Sequence, residues 1–136
     1  MEQKLYTLGM FPLGLGYCGV GPILEEEEES MLVKYNTGGQ VSYSTTKPGI
    51  TRGNHFHTRK IERFAVIQGK ALIKMRKYGT DQIINLELNG DEPSFVDMPV
   101  WYTHNITNIG EDELVTLFWI NEIYDPADAD TYYEQI

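Results

Sequence analysis

Between about residues 41 and 120 the apolar positions come in short runs rich in Val, Ile, Phe and Tyr: VSYSTT, RFAVIQ, KALIKMR, QIINLEL, SFVDMP, HNITNI and ELVTLFWI. Gly, Asn, Asp or Pro separates the runs, at Pro48-Gly49, Gly69, Tyr78-Gly79, Asn89-Gly90 and Gly110. Runs this short, with turn residues at regular intervals and no ten-residue helical period between them, predict an antiparallel all-β sandwich or barrel. KALIKMR shows the period directly. Ala71, Ile73 and Met75 fall on one face suited to a core, and Lys70, Leu72, Lys74 and Arg76 on the other.

The first forty residues carry no such period and are read as an extension packing on a barrel formed by residues 41–136. Gly14-Leu15-Gly16-Tyr17-Cys18-Gly19 spells G-x-G-x-x-G, but Val20-Gly21-Pro22 follows where a dinucleotide-binding fold needs a helix, so that reading is set aside. Glu25 to Glu29 read as a solvated loop or the start of a helix. At the other end, YDPADADTYYEQI combines acids and Pro with bulky apolar residues and is expected to pack on the barrel or on a partner subunit.

A length of 136 residues fits one domain. No long apolar run or basic leader is present, and Cys18 is the only cysteine, so a soluble, cytoplasmic protein without membrane attachment or internal disulfide is expected. Cys18 is read as a packing residue. A net charge of −9 argues against nucleic acid as a partner. The average hides an asymmetry, however. Nine of the eleven basic residues (Lys47, Arg52, Arg59, Lys60, Arg63, Lys70, Lys74, Arg76, Lys77) lie between positions 47 and 77, where Glu62 is the only acid. Such a cluster either draws an anionic small ligand or is a solvated strand face.

The chemistry is concentrated in GITRGNHFHTRKIE, residues 49–62. Residues two apart on a strand share a face, so His55 and His57 point together into the barrel, and Glu62 returns to them after a short turn. His104, from a strand distant in sequence, supplies a third imidazole. Three imidazoles and a carboxylate suit zinc or another first-row divalent ion. The competing readings are ordinary strand histidines, or a metal-free site in which His57 or His55 is a base.

These residues resemble both motifs of the cupin superfamily. G-x5-H-x-H-x4-E-x6-G is met at Gly49, His55, His57, Glu62 and Gly69, and P-x-G-x2-H-x3-N at Pro99, His104 and Asn108, with Trp101 in place of the glycine. A double-stranded β-helix, or jelly roll, is implied. TKPGITRGNHFHTRKIERFAVIQGKALI and MPVWYTHNITNIGEDELVTLFWINEIYDP further resemble the C-terminal cupin domain of bacterial bifunctional enzymes that make the UDP-N-acetyl-L-fucosamine precursor of capsules. The likeness spans roughly residues 40–134. Where those relatives carry an Asp-x-Arg-Gly turn near the first strand, this chain has EEEEES at residues 25–30 and then MLVKY.

The resemblance implies epimerisation at C3 of a UDP-linked 4-keto-6-deoxy-N-acetylhexosamine, a separate short-chain reductase as partner, and a homodimer. The ligand set would be His55, His57, Glu62 and His104, with zinc as the expected ion. Tyr102, on the same strand face as His104, is the first candidate for proton transfer, with His57 as base if no metal is bound. Lys47, Arg52 and Arg63 are candidates for the diphosphate, and Asn54 flanks the first ligand. By strand alternation Asn54 faces away from that ligand unless a bulge intervenes. Two other functions compete: a metal cupin with oxygen-dependent chemistry, and a sugar-binding domain without catalysis.

Overall fold

The computed structural model describes residues 27–33, 38–92 and 94–136. Cys18, the G-x-G-x-x-G run and most of the amino-terminal forty residues lie outside them. Among the described residues ten strands run in chain order: β1 (Glu27–Val33), β2 (Gln40–Thr46), β3 (Thr51–Phe56), β4 (Glu62–Gln68), β5 (Lys70–Lys77), β6 (Ile83–Asn89), β7 (Ser94–Met98), β8 (Tyr102–Asn108), β9 (Leu114–Ile120) and β10 (Tyr132–Tyr133). They form two five-stranded sheets, ordered β1-β2-β9-β4-β7 and β10-β3-β8-β5-β6. All pairings are antiparallel. The expected all-β jelly roll is the fold. No helix among the described residues is long and apolar enough to cross a membrane.

Strand β5 carries the alternation read from its sequence. Ala71 and Ile73 are fully buried and Met75 nearly so, whereas the intervening residues are at least partly exposed. They join Phe64, Val66, Met98, Ile106 and Leu114 in one apolar cluster, with Leu86, Leu88, Val96, Tyr102 and Phe118 packed at its margin. At roughly 25 cal/mol per Å² of apolar surface removed from water, this cluster is the main favourable contribution to the fold.

One expectation is corrected at the amino-terminal side. Glu27 to Glu29 begin a strand, not a loop or helix, and pair with Thr46, Thr45 and Ser44 of β2. Ladder pairing overrides the low strand propensity of consecutive glutamates. The first sheet therefore begins upstream of residue 41. The carboxyl-terminal segment packs on the barrel, where Tyr132 and Tyr133 pair with Phe56 and His55.

Candidate metal centre

Three strand ends and one turn bring the chemistry together. His55 on β3 sits directly opposite His104 on β8, and Glu62 opens β4. His57 follows β3 immediately. Its place is fixed by its carbonyl, which accepts the Trp101 amide at 2.7 Å.

Simple alternation would put Arg52 and His55 on opposite faces. A bulge between Gly53 and His55 removes the conflict. Gly53 and Asn54 take φ values of 94° and 58°, so the extra residue turns His55 inward without reversing Arg52. Gly53 also lies against β8 so closely that a Cβ would stand 2.9 Å from the His104 carbonyl oxygen. Only glycine fits both conditions. The side chain of Asn54 accepts a hydrogen bond from Asn105 Nδ2 at 2.9 Å, and its carbonyl accepts the Glu134 amide. Asn54 thus ties the bulge to β8 and to the carboxyl-terminal segment.

The Nε2 atoms of His104, His57 and His55 stand 2.8, 3.3 and 3.8 Å from Glu62 Oε2. All four donor atoms lie within 4.8 Å of one another. His57 and His104 turn their other nitrogens to backbone carbonyls, Nδ1 of His57 to Asp130 at 2.5 Å and Nδ1 of His104 to Tyr102 at 3.0 Å. Each Nδ1 then donates, leaving an Nε2 lone pair aimed at the common point.

A divalent ion fits this arrangement. His57 Nε2, His104 Nε2 and Glu62 Oε2 are buried and make no properly oriented hydrogen bond, and buried polar atoms seldom go unsatisfied. Donors on a metal at about 2.0–2.2 Å stand roughly 3–4 Å apart, close to the spacing found here. The electrostatics agree. Burial would raise the Glu62 carboxyl, but His104, His55 and His57 together hold it well below the usual carboxylate range. His57 runs the other way: burial works to lower it, yet Glu62 and the Asp130 carbonyl leave its imidazole above the ordinary histidine value, so an ion at Nε2 would have to displace a proton.

The remaining residues singled out from the sequence are dispersed. Tyr102 packs beside the core cluster and presents its carbonyl to His104. Arg52 is half-buried on the inner wall, donates from Nη1 to Ser44 Oγ and lies over the Phe118 ring at 5.3 Å. Arg63 faces out of the barrel, gripped by Asp97 through Nε at 2.5 Å and Nη2 at 2.7 Å and stacked over Phe95 at 4.0 Å. Lys47 is exposed in the β2–β3 turn, at the far end of β3 from His55, roughly 13 Å along the strand. Of the basic cluster, Arg59 pairs with Glu122 and Asp128, and Arg76 with Glu134. Lys60, only 1% exposed, donates to the Ala129 carbonyl at 2.6 Å.

Sequence reasoning did not single out Asp130. Its carboxylate accepts the amides of Thr58, Arg59 and Lys60 at 3.1, 3.0 and 3.1 Å, and the Thr58 hydroxyl at 2.5 Å. Burial alone would raise this carboxyl, but these donors bring it down to about 2.

A jelly roll holding three histidines and a glutamate at one point on its inner wall defines a cupin with a site of the metal-binding kind. The chain matches the family model described as the polysaccharide biosynthesis C-terminal domain over residues 29–132; it belongs to that family. It is 40% identical over 101 residues to the UDP-2-acetamido-2,6-beta-L-arabino-hexul-4-ose reductase of Pseudomonas aeruginosa, covering 74% of this chain and 27% of the relative. The capsular polysaccharide assembling protein CapF of Staphylococcus aureus superposes with a TM-score of 0.82 at 42% identity, over 85% of this chain and 34% of CapF. Bacillus subtilis oxalate decarboxylase, at 22% identity and a TM-score of 0.64 over 77% of this chain and 28% of its own, shares the fold. The chain thus spans about a quarter to a third of the length of the relatives it matches.

Proposed function

We propose that this domain is a metal-dependent epimerase or isomerase of surface-polysaccharide synthesis, acting at C3 of a UDP-linked 4-keto-6-deoxy-N-acetylhexosamine. One observation carries the reading: the donor cluster of His55, His57, Glu62 and His104, half of it buried, faces the same interior as Arg52 and the polar side chains of β2. The names of the P. aeruginosa and S. aureus relatives, a nucleotide-sugar reductase and a capsular polysaccharide assembling protein, support the substrate class. The reduction named for the first of these is assigned to a separate short-chain reductase as partner, and the domain itself to a homodimer.

Epimerisation next to a ketone requires removal of the C3 proton, accommodation of the electron pair on O4, and return of a proton to the opposite face. A divalent ion, zinc in this proposal, would supply Lewis-acid polarisation of the ketone when bound. His55, His57, Glu62 and His104 would hold it. Tyr102 is assigned the proton transfer, because its strand position places it beside His104 on the inner face of β8. In metal-free protein His57 is the base, through Nε2, since its Nδ1 is committed to Asp130. Arg52 is assigned to the diphosphate because it faces the interior. The proposal gives Arg63, Lys47 and Asn54 no direct part, since Arg63 is held outward by Asp97, Lys47 lies at the other end of the sheet, and Asn54 holds the bulge.

The test is solvent exchange. Incubated in D2O with the UDP-4-keto sugar, metal-loaded protein should place deuterium at C3, detected by NMR. Tyr102→Phe and protein stripped by a chelator should lose at least 100-fold in exchange rate; stripped protein that exchanges at the wild-type rate would overturn metal dependence and make His57 the base. Binding of the sugar without any exchange by wild type would leave a binding domain, and oxygen consumption with bound iron would assign other metal chemistry.

A further inference from the structure

The carboxyl-terminal segment returns across the β3–β4 connection as a strap, and its grip on the metal centre converges on Asp130. This residue is 6% exposed and has φ of 45°, in the left-handed region that Asp and Asn enter more readily than other residues with a side chain. There its two oxygen-bearing ends meet consecutive residues of one loop. The carbonyl takes Nδ1 of His57 at 2.5 Å, and the carboxylate takes three successive backbone N–H groups, of Thr58, Arg59 and Lys60. Successive amides converging on one anion form a rigid concavity. This one closes immediately after a ligand and immediately before the stretch that leads to Glu62.

We propose that Asp130 is a positioning residue of the metal centre, fixing the tautomer and ring plane of His57 through its carbonyl and the His57–Glu62 connection through its carboxylate. The proposal rests on reading the four-residue cluster as a metal site. Neighbouring contacts reinforce the grip: Lys60 Nζ donates to the Ala129 carbonyl, and Tyr133 pairs with His55. Both histidines of the first motif are therefore braced by residues more than seventy positions away in sequence. Residues that orient ligating histidines typically carry about 10–100-fold in metal affinity.

The experiment is competition between the protein and a chelator for Co2+ at fixed pH, read together with the visible d–d spectrum. Full-length wild type, Asp130→Ala, Asp130→Gly, Asp130→Asn and Arg59→Ala are compared. Asp130→Ala and Asp130→Gly should bind Co2+ about 10–100-fold more weakly, with shifted bands. Asp130→Asn should lose less, because Asn keeps the backbone conformation and an acceptor oxygen. Arg59→Ala removes the strap's ion pairs to Glu122 and Asp128 without touching His57; it should lower the melting temperature and leave affinity and spectrum unchanged. Should Asp130→Ala fail to fold, the Gly and Asn variants make the same comparison. Wild-type affinity and spectrum in folded Asp130 variants would overturn the proposal, as would an equal loss in Arg59→Ala. Wild type that binds no Co2+ at all would instead remove the metal reading on which the proposal stands.

Discussion

Two halves of the barrel interior differ in what they are made of. Across β4, β5 and β8, away from the donor cluster, the inward positions include Phe64, Val66, Ala71, Ile73, Met75 and Ile106, all buried and apolar. Across β2 and the adjoining part of β9 the buried inward positions include Ser42, Ser44, Thr46 and Thr116 beside the apolar Leu114, with Arg52 reaching over from β3. The apolar half supplies cohesion, because removing hydrocarbon from water is the dominant favourable term in folding. The polar half contributes little of that, and a half-buried guanidinium lies against it. The donor cluster sits on the seam, with Phe64 edge-on to His104 at 5.6 Å. On the proposed function the apolar wall carries stability and the polar wall binding, so substitutions in the two should have separable effects.

The largest separable effect is expected at the seam. His104→Ala deletes a donor that is 1% exposed and leaves Glu62 with fewer imidazoles to offset its buried charge. Elemental analysis of protein purified without added metal should fall from about one equivalent to near zero. A full equivalent retained in the variant would take His104 out of the ligand set.

Next comes the apolar half. Ile73 has no exposed surface, and Ile73→Ala should cost about 2–5 kcal/mol in urea unfolding, because the cavity adds to the lost transfer free energy. Metal content of the folded fraction should not change. If stability held while metal was lost, the division between the two halves would be wrong.

How far the sequence exposes this division depends on whether local period or long-range contact sets each residue's place. Strand β5 reads correctly from its own alternation, since one face is buried and the other is not. The same rule was available for Arg63: if Glu62 faces in, its neighbour faces out, and Asp97 meets it there. The bulge at Gly53-Asn54 left a weaker signal, a pair of residues that accept positive φ, which does not by itself say which way the next side chain turns. β1 could not be read locally, because consecutive glutamates become a strand through pairing with β2. Nor could Asp130. It is one of several acids in YDPADAD, and only the return of the chain across residues 57–60 selects it.

The two arginines give the finest test of the comparison, because they came from one basic cluster and the fold sent them to opposite sides of the wall. Arg52 lies among Ser44 and Phe118 inside, where a guanidinium meeting a diphosphate should contribute about 1.5–3 kcal/mol through charge-assisted hydrogen bonds. Arg52→Gln should therefore weaken UDP-sugar binding, followed calorimetrically, by about 10–100-fold. Arg63 spends its fork on Asp97 across an ion pair whose carboxylate side is 47% exposed. Arg63→Gln should cost at most about 1 kcal/mol of stability and change ligand affinity less than about twofold. If the ranking came out reversed, with Arg63 governing affinity and Arg52 silent, the ligand would be bound on the outer face, and the polar lining of β2 would need another explanation.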